Sequence, residues 1–238
     1  MMQLWLCPLL AFLLGSIPFG LIIAKAKGIN IREHGSGNIG ATNVLRVIGK
    51  KYGITCLLLD ALKGFVPVMI AINLVQISGR ENVLHFAALD PFATVLPASR
   101  QFLGQLIHVL TALAAVLGHN YPPWVGFKGG KGVATSAGVL LALMPAGLML
   151  LALVWLIMFA LSRYVSLASI VAAVALPLIT LYGSWWHGRI ADGTWNKPLF
   201  LFSLTIAILA IWKHQSNIQR LLAGTEHRFT RSAKSPHG

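Results

Sequence analysis

The chain has 238 residues, of which 56% are hydrophobic and 11% are charged, and 19 Lys and Arg residues stand against 6 Asp and Glu residues. A soluble domain carries roughly a quarter charged residues, so this composition excludes an ordinary soluble protein and indicates a chain that crosses a membrane several times. In such a protein the net charge of +13 indicates basic loops at anionic lipid headgroups rather than nucleic-acid binding. The two cysteines lie in apolar runs and give neither a disulfide framework nor metal-ligand spacing.

Apolar runs long enough to cross a bilayer, or nearly so, follow one another along the chain. At 1.5 Å per helical residue they predict spans at 1–24, 52–77, 101–118, 167–183 and 198–212. The first run has no basic residue before its apolar core and meets Lys25 only at its far end, unlike a signal peptide. We therefore expect an uncleaved first span with its N-terminus outside the cytoplasm.

The apolar run 133–161 has two interpretations. It contains the sequence MPAG at 144–147, where proline favours a break, so it is either one tilted, kinked helix or a hairpin of two short segments. The hairpin gives seven spans, with fourteen Lys and Arg residues in cytoplasmic segments and four outside. This asymmetry follows the positive-inside rule and favours seven spans with a cytoplasmic C-terminus.

The predicted fold is thus all-α: a polytopic helical membrane bundle of about seven spans, including short or re-entrant segments. Residues 1–224 form one membrane-embedded domain, 78–100 an external insertion with an interfacial helix, and 225–238 a frayed basic cytoplasmic tail. The expected location is a bacterial cytoplasmic (inner) membrane, with the polar clusters of the chain at the cytoplasmic face.

The first polar cluster contains HGSGNIGATN at 34–43, which matches the dinucleotide pattern G-x-G-x-x-G. A nucleotide site of that type needs a strand before the glycines, whereas a predicted membrane span precedes them, and Asp60 lies inside the next span. The glycines still allow backbone amides to form a nest for an anion, with Arg46 suited to phosphate. The alternative is that they only permit a tight loop or close helix packing.

The second cluster, GHNYPPWVGFKGGKGVATS at 118–136, strengthens the phosphate interpretation. Lys128 and Lys131 flank two glycines just before a helix, whose free amides and positive dipole end favour an anion. As an alternative, the two lysines are ordinary anchors at the lipid headgroups.

Further polar residues lie within or beside the later spans. Asp60 and Lys63 share one helical face; a structural tie that supports the loops is expected, with direct chemistry as the alternative. His214, Asn217 and Arg220 are spaced along one flank of a helix that leaves the last span; His214 is a candidate base or phosphate donor, or else makes a structural hydrogen bond. The six acidic residues are scattered, and no serine-hydrolase elbow or metal motif is present, so metal, carboxylate-pair and serine-triad catalysis are poorly supported.

Several motifs in order resemble the bacterial acyl-phosphate:glycerol-3-phosphate acyltransferases of the PlsY type. They are GSGNIGATNVLR, DALKG, GHNYPPWVGFKGGKGVAT, RYVSLAS and KHQSNIQRLLAGTE. The resemblance implies an enzyme that transfers the acyl group of a long-chain acyl phosphate to the 1-hydroxyl of glycerol 3-phosphate. The products are lysophosphatidic acid and phosphate, and the family uses no metal. No cofactor, no nucleic acid and no obligate protein partner is expected; the partners are the two substrates and membrane lipids.

The resemblance also implies the site residues. The expected catalytic residues are His214, Ser36 and Lys131. The expected groups for the phosphates and glycerol are Gly35, Gly37, Asn38, Thr42, Asn43, Arg46, Lys128, Gly130, Ser166, Asn217 and Glu226.

An acyl phosphate is a mixed anhydride with a good leaving group, so we expect direct attack by the glycerol hydroxyl without an acyl-enzyme. The proton passes to substrate phosphate or to His214. Two rival functions are an organophosphate transporter, which predicts inverted internal symmetry, and a non-catalytic lipid-binding scaffold. The sequence shows no such symmetry, and four phosphate-type clusters exceed what a scaffold needs.

Overall fold

A computed structural model describes residues 3–80, 82 and 84–229 of the chain. Most of these residues are helical, which confirms a mostly helical architecture. The α-helices are α1 (Gln3–Gly15), α2 (Phe19–Lys25), α3 (Ala41–Val47), α4 (Lys50–Leu74), α5 (Gln101–Asn120), α6 (Val133–Leu143), α7 (Pro145–Ser162), α8 (Val165–Trp186), α9 (Lys197–Lys213) and α10 (Gln215–Leu222).

Helices α1, α4, α5 and α6 form the centre of the bundle, and glycines bring their backbones together. A Cβ atom on Gly15 of α1 would lie 2.2 Å from the Ala115 carbonyl oxygen of α5. On α6, a Cβ atom on Gly138 would lie 1.9 Å from the Ala61 carbonyl oxygen of α4. Small residues at helix contacts are typical of membrane bundles, where close packing replaces the hydrophobic effect.

The ambiguous run 133–161 is divided at Met144, whose backbone is extended (φ −154°), and α7 then begins at Pro145. Proline suits the first position of a helix because that position has no intrahelical use for an N–H group. The short α6 packs against α4, whereas α7 packs against α8. The break predicted at the MPAG sequence is therefore present.

Several helical segments are long and apolar enough to cross a membrane. Five qualify among the described residues: Trp5–Lys25, Lys50–Leu74, Ala98–Val125, Pro145–Ser162 and Val165–Trp186. A sixth is obtained if α9 and α10, bent by 57°, count as one span. The eleven-residue α6 is apolar but short. The number of spans and the sides of the two termini stay predictions.

The predicted all-α class needs one correction in the segment 75–100. Val75–Ile77 and Thr94–Leu96 form a two-stranded parallel sheet, so α4 ends at Leu74 and not at the predicted residue 77. Branched Val75 and Ile77 suit a strand, and both are buried. In place of the predicted interfacial helix, the intervening residues Ala87–Phe92 form a 3₁₀ helix that includes Pro91.

The described start of the C-terminal tail is packed rather than frayed. The Phe229 amide donates a hydrogen bond to the Arg163 carbonyl oxygen (3.0 Å), and the Phe229 ring contacts Phe159 edge-on. The frayed tail predicted for 225–238 is therefore wrong for 225–229, and residues 230–238 lie outside the described part.

Candidate active site

The four polar clusters of the sequence, at 32–51, 118–136, 162–169 and 213–226, meet at one end of the bundle, where α5 and α9 end and where α4 and α8 begin. Three hydrogen bonds connect them in pairs. The Arg32 guanidinium donates to the Lys128 carbonyl oxygen (2.7 Å), Lys131 Nζ donates to Asn217 Oδ1, and Ser166 Oγ donates to Glu226 Oε1 (2.8 Å). Segments far apart in the chain thus build one polar region.

Asn43, at the start of α3, organises the glycine-rich loop of the first cluster. Its buried Oδ1 accepts a hydrogen bond from the Ser36 amide (2.9 Å). Its Nδ2 donates to the carbonyl oxygens of His34 (3.0 Å) and Asn38 (2.9 Å) and lies 3.3 Å from that of Ile31. The side-chain amide of Asn43 is therefore occupied by the loop itself.

The loop turns at Gly35 and Gly37, whose φ angles of +59° and +68° favour glycine. A Cβ atom on Gly35 would also lie 2.3 Å from Asn43 Oδ1. Asn38 Oδ1 accepts a hydrogen bond from the Gly40 amide (2.8 Å) and so fixes the approach to α3. The loop is thereby held in one shape around Asn43.

Three other polar side chains of the first cluster are not used to hold the loop. Among the residues that the structure describes, the Ser36 and Thr42 hydroxyls and the Arg46 guanidinium make no hydrogen bond. Arg46 lies in the last turn of α3, within electrostatic range of Glu226 and Arg220. These groups are available to bind a ligand.

The second loop folds back onto the end of α5. The Gly130 amide donates to the His119 carbonyl oxygen (3.1 Å), and the Gly129 amide donates to that of Asn120 (3.2 Å). Gly132, with φ +80°, is the N-cap residue directly before α6. The Lys128 side chain is exposed to solvent, whereas Lys131 turns toward α10.

The pKa of the Lys131 ammonium is lowered to about 8. Burial is the main cause, and the positive charges of Arg220, Arg46 and Lys213 act in the same direction, while Glu226 opposes them. Four cationic side chains thus lie near one carboxylate. An excess of positive charge that is partly removed from water is what an anionic ligand would neutralise.

Glu226 is the hydrogen-bond acceptor at the centre of this region. Besides Ser166, Asn217 Nδ2 donates to its Oε1 (2.6 Å) and Arg220 Nε donates to its Oε2 (2.8 Å). Burial opposes ionisation of the carboxyl, but these hydrogen bonds and the Arg220 charge outweigh it, and the pKa of Glu226 is lowered. Glu226 is therefore ionised and holds α8 and α10 together.

His214 lies at the bend between α9 and α10 and is buried. Its Nδ1 is 2.7 Å from the Ala210 carbonyl oxygen. Because a carbonyl oxygen only accepts hydrogen bonds, Nδ1 carries the proton in the neutral ring and the lone pair is on Nε2. Nε2 has no partner within the described residues, so it could accept a proton from a ligand.

The predicted site residues fall into two groups. Lys131, His214, Asn217, Ser166 and Glu226 come together with Arg46 around the ends of α9 and α10. Asn43, Gly35 and Gly37 instead shape the first loop, and Gly130 packs against His119.

Arg32 and Arg220 were not among the predicted site residues. Because Arg220 lies three residues after Asn217, the sequence indicated that the two share one face of a helix. No local sequence pattern indicates the contact from Arg32 to Lys128. Within the described part of the chain, no three His, Cys, Asp or Glu side chains are arranged to hold a metal ion.

A helical membrane protein with a cation-rich polar site at one end of its bundle is the class that the fold and the site define. The chain belongs to the glycerol-3-phosphate acyltransferase family, whose model matches residues 5–224. A glycerol-3-phosphate acyltransferase of Aquifex aeolicus is 43% identical, covering 92% of this chain and 95% of that protein. One of Thermosynechococcus vestitus is 44% identical, covering 95% of both.

Solved structures give the same family. The chain is similar to a crystal structure of PlsY (YgiH), described as an integral membrane glycerol 3-phosphate acyltransferase in its glycerol 3-phosphate form, with a TM-score of 0.75 and 40% identity. That match covers 95% of this chain and 96% of the other. A lysophosphatidic acid form of PlsY matches with a TM-score of 0.73.

Proposed function

We propose that this protein transfers the acyl group of a long-chain acyl phosphate to the 1-hydroxyl of glycerol 3-phosphate, giving lysophosphatidic acid and phosphate. Family membership supports the acyltransferase class, and the glycerol 3-phosphate and lysophosphatidic acid forms of PlsY support the acceptor and the product. The choice of acyl phosphate as donor rests on the motifs and on the chemistry of the site.

One observation carries the proposal: Lys131, Arg46, Arg220 and Lys213 lie near the single carboxylate of Glu226. Both proposed substrates carry a phosphate group, and each would supply the negative charge that this site lacks. Lys and Arg side chains, together with loop amides, would also stabilise the charge that develops on the departing phosphate.

In the proposed reaction the 1-hydroxyl oxygen of glycerol 3-phosphate attacks the carbonyl carbon of the acyl phosphate. The new ester C–O bond forms as the bond from that carbon to the phosphate oxygen breaks, and phosphate leaves with the electron pair. The hydroxyl proton goes to substrate phosphate or to His214 Nε2, whose lone pair is left free by the contact from Nδ1 to Ala210. Because the anhydride is already activated, the proximity and orientation of the two bound substrates are enough to accelerate the reaction, and no acyl-enzyme forms.

The proposed roles follow from the groups that are free to bind. Ser36, Thr42, Arg46, Lys128 and Lys131 bind phosphate or glycerol oxygens, and His214 accepts the proton at Nε2. Ser166, Asn217 and Glu226 set the position of the α10 side of the site or bind the glycerol hydroxyls. Asn38, Asn43, Gly35, Gly37 and Gly130 act through the shape of the loops. The site needs no cofactor and no metal.

We further propose seven membrane segments with the N-terminus outside and the C-terminus in the cytoplasm. Residues 1–224 would form the catalytic domain in the inner membrane of a bacterium, with 78–100 external. The positive-inside asymmetry of Lys and Arg supports this orientation. Labelling of the variant Ala146→Cys would test this orientation, because the hairpin places residue 146 outside. Labelling only from the cytoplasmic side would contradict the hairpin.

The test of the reaction is orthophosphate release from palmitoyl phosphate by the purified protein in detergent micelles. We expect release that depends on glycerol 3-phosphate, with lysophosphatidic acid formed in equal amount. Release without the acceptor, or transfer only from acyl-CoA, would contradict the proposal. A trapped acyl-enzyme would exclude direct attack.

The His214 base is tested separately with His214→Ala at saturating substrate. A large loss of kcat supports proton transfer to Nε2. Near-full turnover would assign the proton to substrate phosphate and leave the direct reaction unchanged.

A further inference from the structure

The imidazole ring of His119 forms the surface on which the lysine-bearing loop rests. His119 is in the last turn of α5 and is buried. A Cβ atom on Gly130 would lie 2.1 Å from its Nε2 and 2.9 Å from its Cε1, so the Gly130 backbone packs directly on the ring. Because Gly130 immediately precedes Lys131, the position of this ring fixes where the lysine leaves the loop.

The ring faces a carboxylate of α4 without a hydrogen bond to it. Asp60 Oδ1 lies 3.6 Å from His119 Nδ1 and 2.8 Å from Lys63 Nζ. Lys63 Nζ also donates to the Ile17 carbonyl oxygen (2.6 Å), at the break between α1 and α2. Charged side chains within a membrane bundle are costly unless they are paired, so these three form a tied unit rather than three independent side chains.

We propose that His119 and Asp60 are positioning residues for Lys131. Asp60 orients the His119 ring, the ring supports Gly130, and the loop then presents Lys131 to Asn217 at the end of the bundle. The proposal rests on the proposed function in one respect, namely that Lys131 binds a substrate phosphate. Asp60 and His119 touch neither substrate, and their effect on the reaction passes through the loop.

The adjacent residues Gly129 and Gly130 provide a matched test, because an added Cβ atom would clash with different atoms at the two positions. At Gly130 the three atoms nearest to an added Cβ all belong to the His119 ring. At Gly129 a Cβ atom would lie 2.1 Å from the His119 carbonyl oxygen and 2.7 Å from that of Asn120, which are backbone atoms. Truncation of the His119 ring therefore makes room for Gly130→Ala but not for Gly129→Ala.

The experiment measures kcat/KM for glycerol 3-phosphate in Gly130→Ala, Gly129→Ala and His119→Ala, and in each glycine variant combined with His119→Ala. We expect each glycine variant to lose at least about tenfold, because a shift of about 1 Å near a reacting group has effects of that size. The double variant with Gly130→Ala should equal His119→Ala alone to within twofold. The double variant with Gly129→Ala should stay at least about tenfold below it.

The proposal is overturned if Gly130→Ala costs the same factor with and without the His119 ring, since the contact would then have no influence on the loop. If Gly130→Ala alone does not yield folded protein, the variant that combines Gly130→Ala with His119→Ala decides. Folded, active protein from this double variant supports the contact, and a double variant that also fails to fold overturns it.

A second readout does not depend on catalysis. Labelling of Lys131 by an amine reagent, followed by mass spectrometry over a range of pH, is expected to be half-maximal near pH 8 in the parent protein. In Asp60→Asn the loosened loop should expose Lys131 to water and move this midpoint upward toward that of an ordinary lysine. The matched control is Asp90→Asn in the segment 78–100, which should leave the midpoint in place.

An unchanged midpoint in Asp60→Asn would overturn the role of Asp60. If the midpoint shifts as expected in Asp60→Asn but the parent protein transfers no acyl group, the proposed function fails and the positioning of Lys131 stands. If it transfers acyl groups but the glycine variants show no dependence on His119, the positioning fails and the function stands.

Discussion

The lowered pKa of Lys131 predicts that the reaction loses efficiency as the pH rises above about 8. If only the protonated ammonium binds the substrate phosphate, kcat/KM for glycerol 3-phosphate follows the protonated fraction of the free enzyme. With a pKa of about 8, that fraction falls from about three quarters at pH 7.5 to about 3% at pH 9.5, roughly a 25-fold decrease.

The pH dependence of the free energy of unfolding distinguishes this loss of activity from denaturation. A lysine whose pKa is lower in the folded protein than in the unfolded chain binds its proton less tightly when folded. The contribution of Lys131 to the free energy of unfolding therefore increases as the pH rises from about 8 toward its unfolded pKa. An activity loss in this range without a fall in the thermal midpoint would be due to the site.

The assay is initial-rate phosphate release between pH 7.5 and 9.5, with spontaneous hydrolysis of the donor subtracted. A phosphate monoester has its second pKa near about 6, so glycerol 3-phosphate remains a dianion over this range. The control is Lys131→Arg, which keeps its charge at every pH tested and should show no decline near pH 8. A level profile in the parent protein, or an unchanged decline in Lys131→Arg, would refute the assignment to Lys131.

Two further substitutions test the supports of the site. Asn43→Ala removes the partner of the Ser36 amide and of the His34 and Asn38 carbonyl groups, which are partly buried, at about 0.5–1.5 kcal/mol for each hydrogen bond lost. The thermal midpoint in detergent should therefore fall by several degrees, and an unchanged midpoint would mean that the loop does not depend on this amide. Glu226→Gln keeps an oxygen that can accept hydrogen bonds from Ser166 and Asn217, but it places an amide nitrogen, which cannot accept, beside Arg220 Nε. The hydrogen bond from Arg220 is lost, at a cost of about 1.5–3 kcal/mol for a bond to a charged group. That corresponds to a decrease of roughly 10- to 150-fold in kcat/KM, and an activity within twofold of the parent protein would exclude a supporting role for Glu226.

Local periodicity predicted a large part of the helical architecture. The three-residue spacing of Asp60 and Lys63 predicted that they share a helical face, and their atoms are 2.8 Å apart. The proline in the run 133–161 predicted the break that occurs at Met144. Both features depend on neighbours within one or two helical turns, which a single sequence contains.

Long-range pairing was not predictable in the same way. The strands Val75–Ile77 and Thr94–Leu96 stabilise one another across sixteen intervening positions, and neither is long enough to give a pattern of its own. The contact from Arg32 to Lys128 joins residues 96 positions apart. Such contacts depend on how whole helices pack, and no local pattern carries that information.

The glycine-rich loop shows how one set of residue types can serve two different purposes. Ser36, Asn38 and Asn43 all have side chains suited to binding phosphate, yet the Asn43 amide is occupied by the loop itself. Within the described residues, the Ser36 hydroxyl and Asn38 Nδ2 are free of hydrogen bonds, while Asn38 Oδ1 accepts from the Gly40 amide. The Asn43 amide replaces the strand that a nucleotide-binding glycine loop would have before it, because it gathers the loop's carbonyl groups on one side. The proposed binding of a phosphate by the Ser36 hydroxyl and the loop's remaining amides therefore needs no βαβ unit.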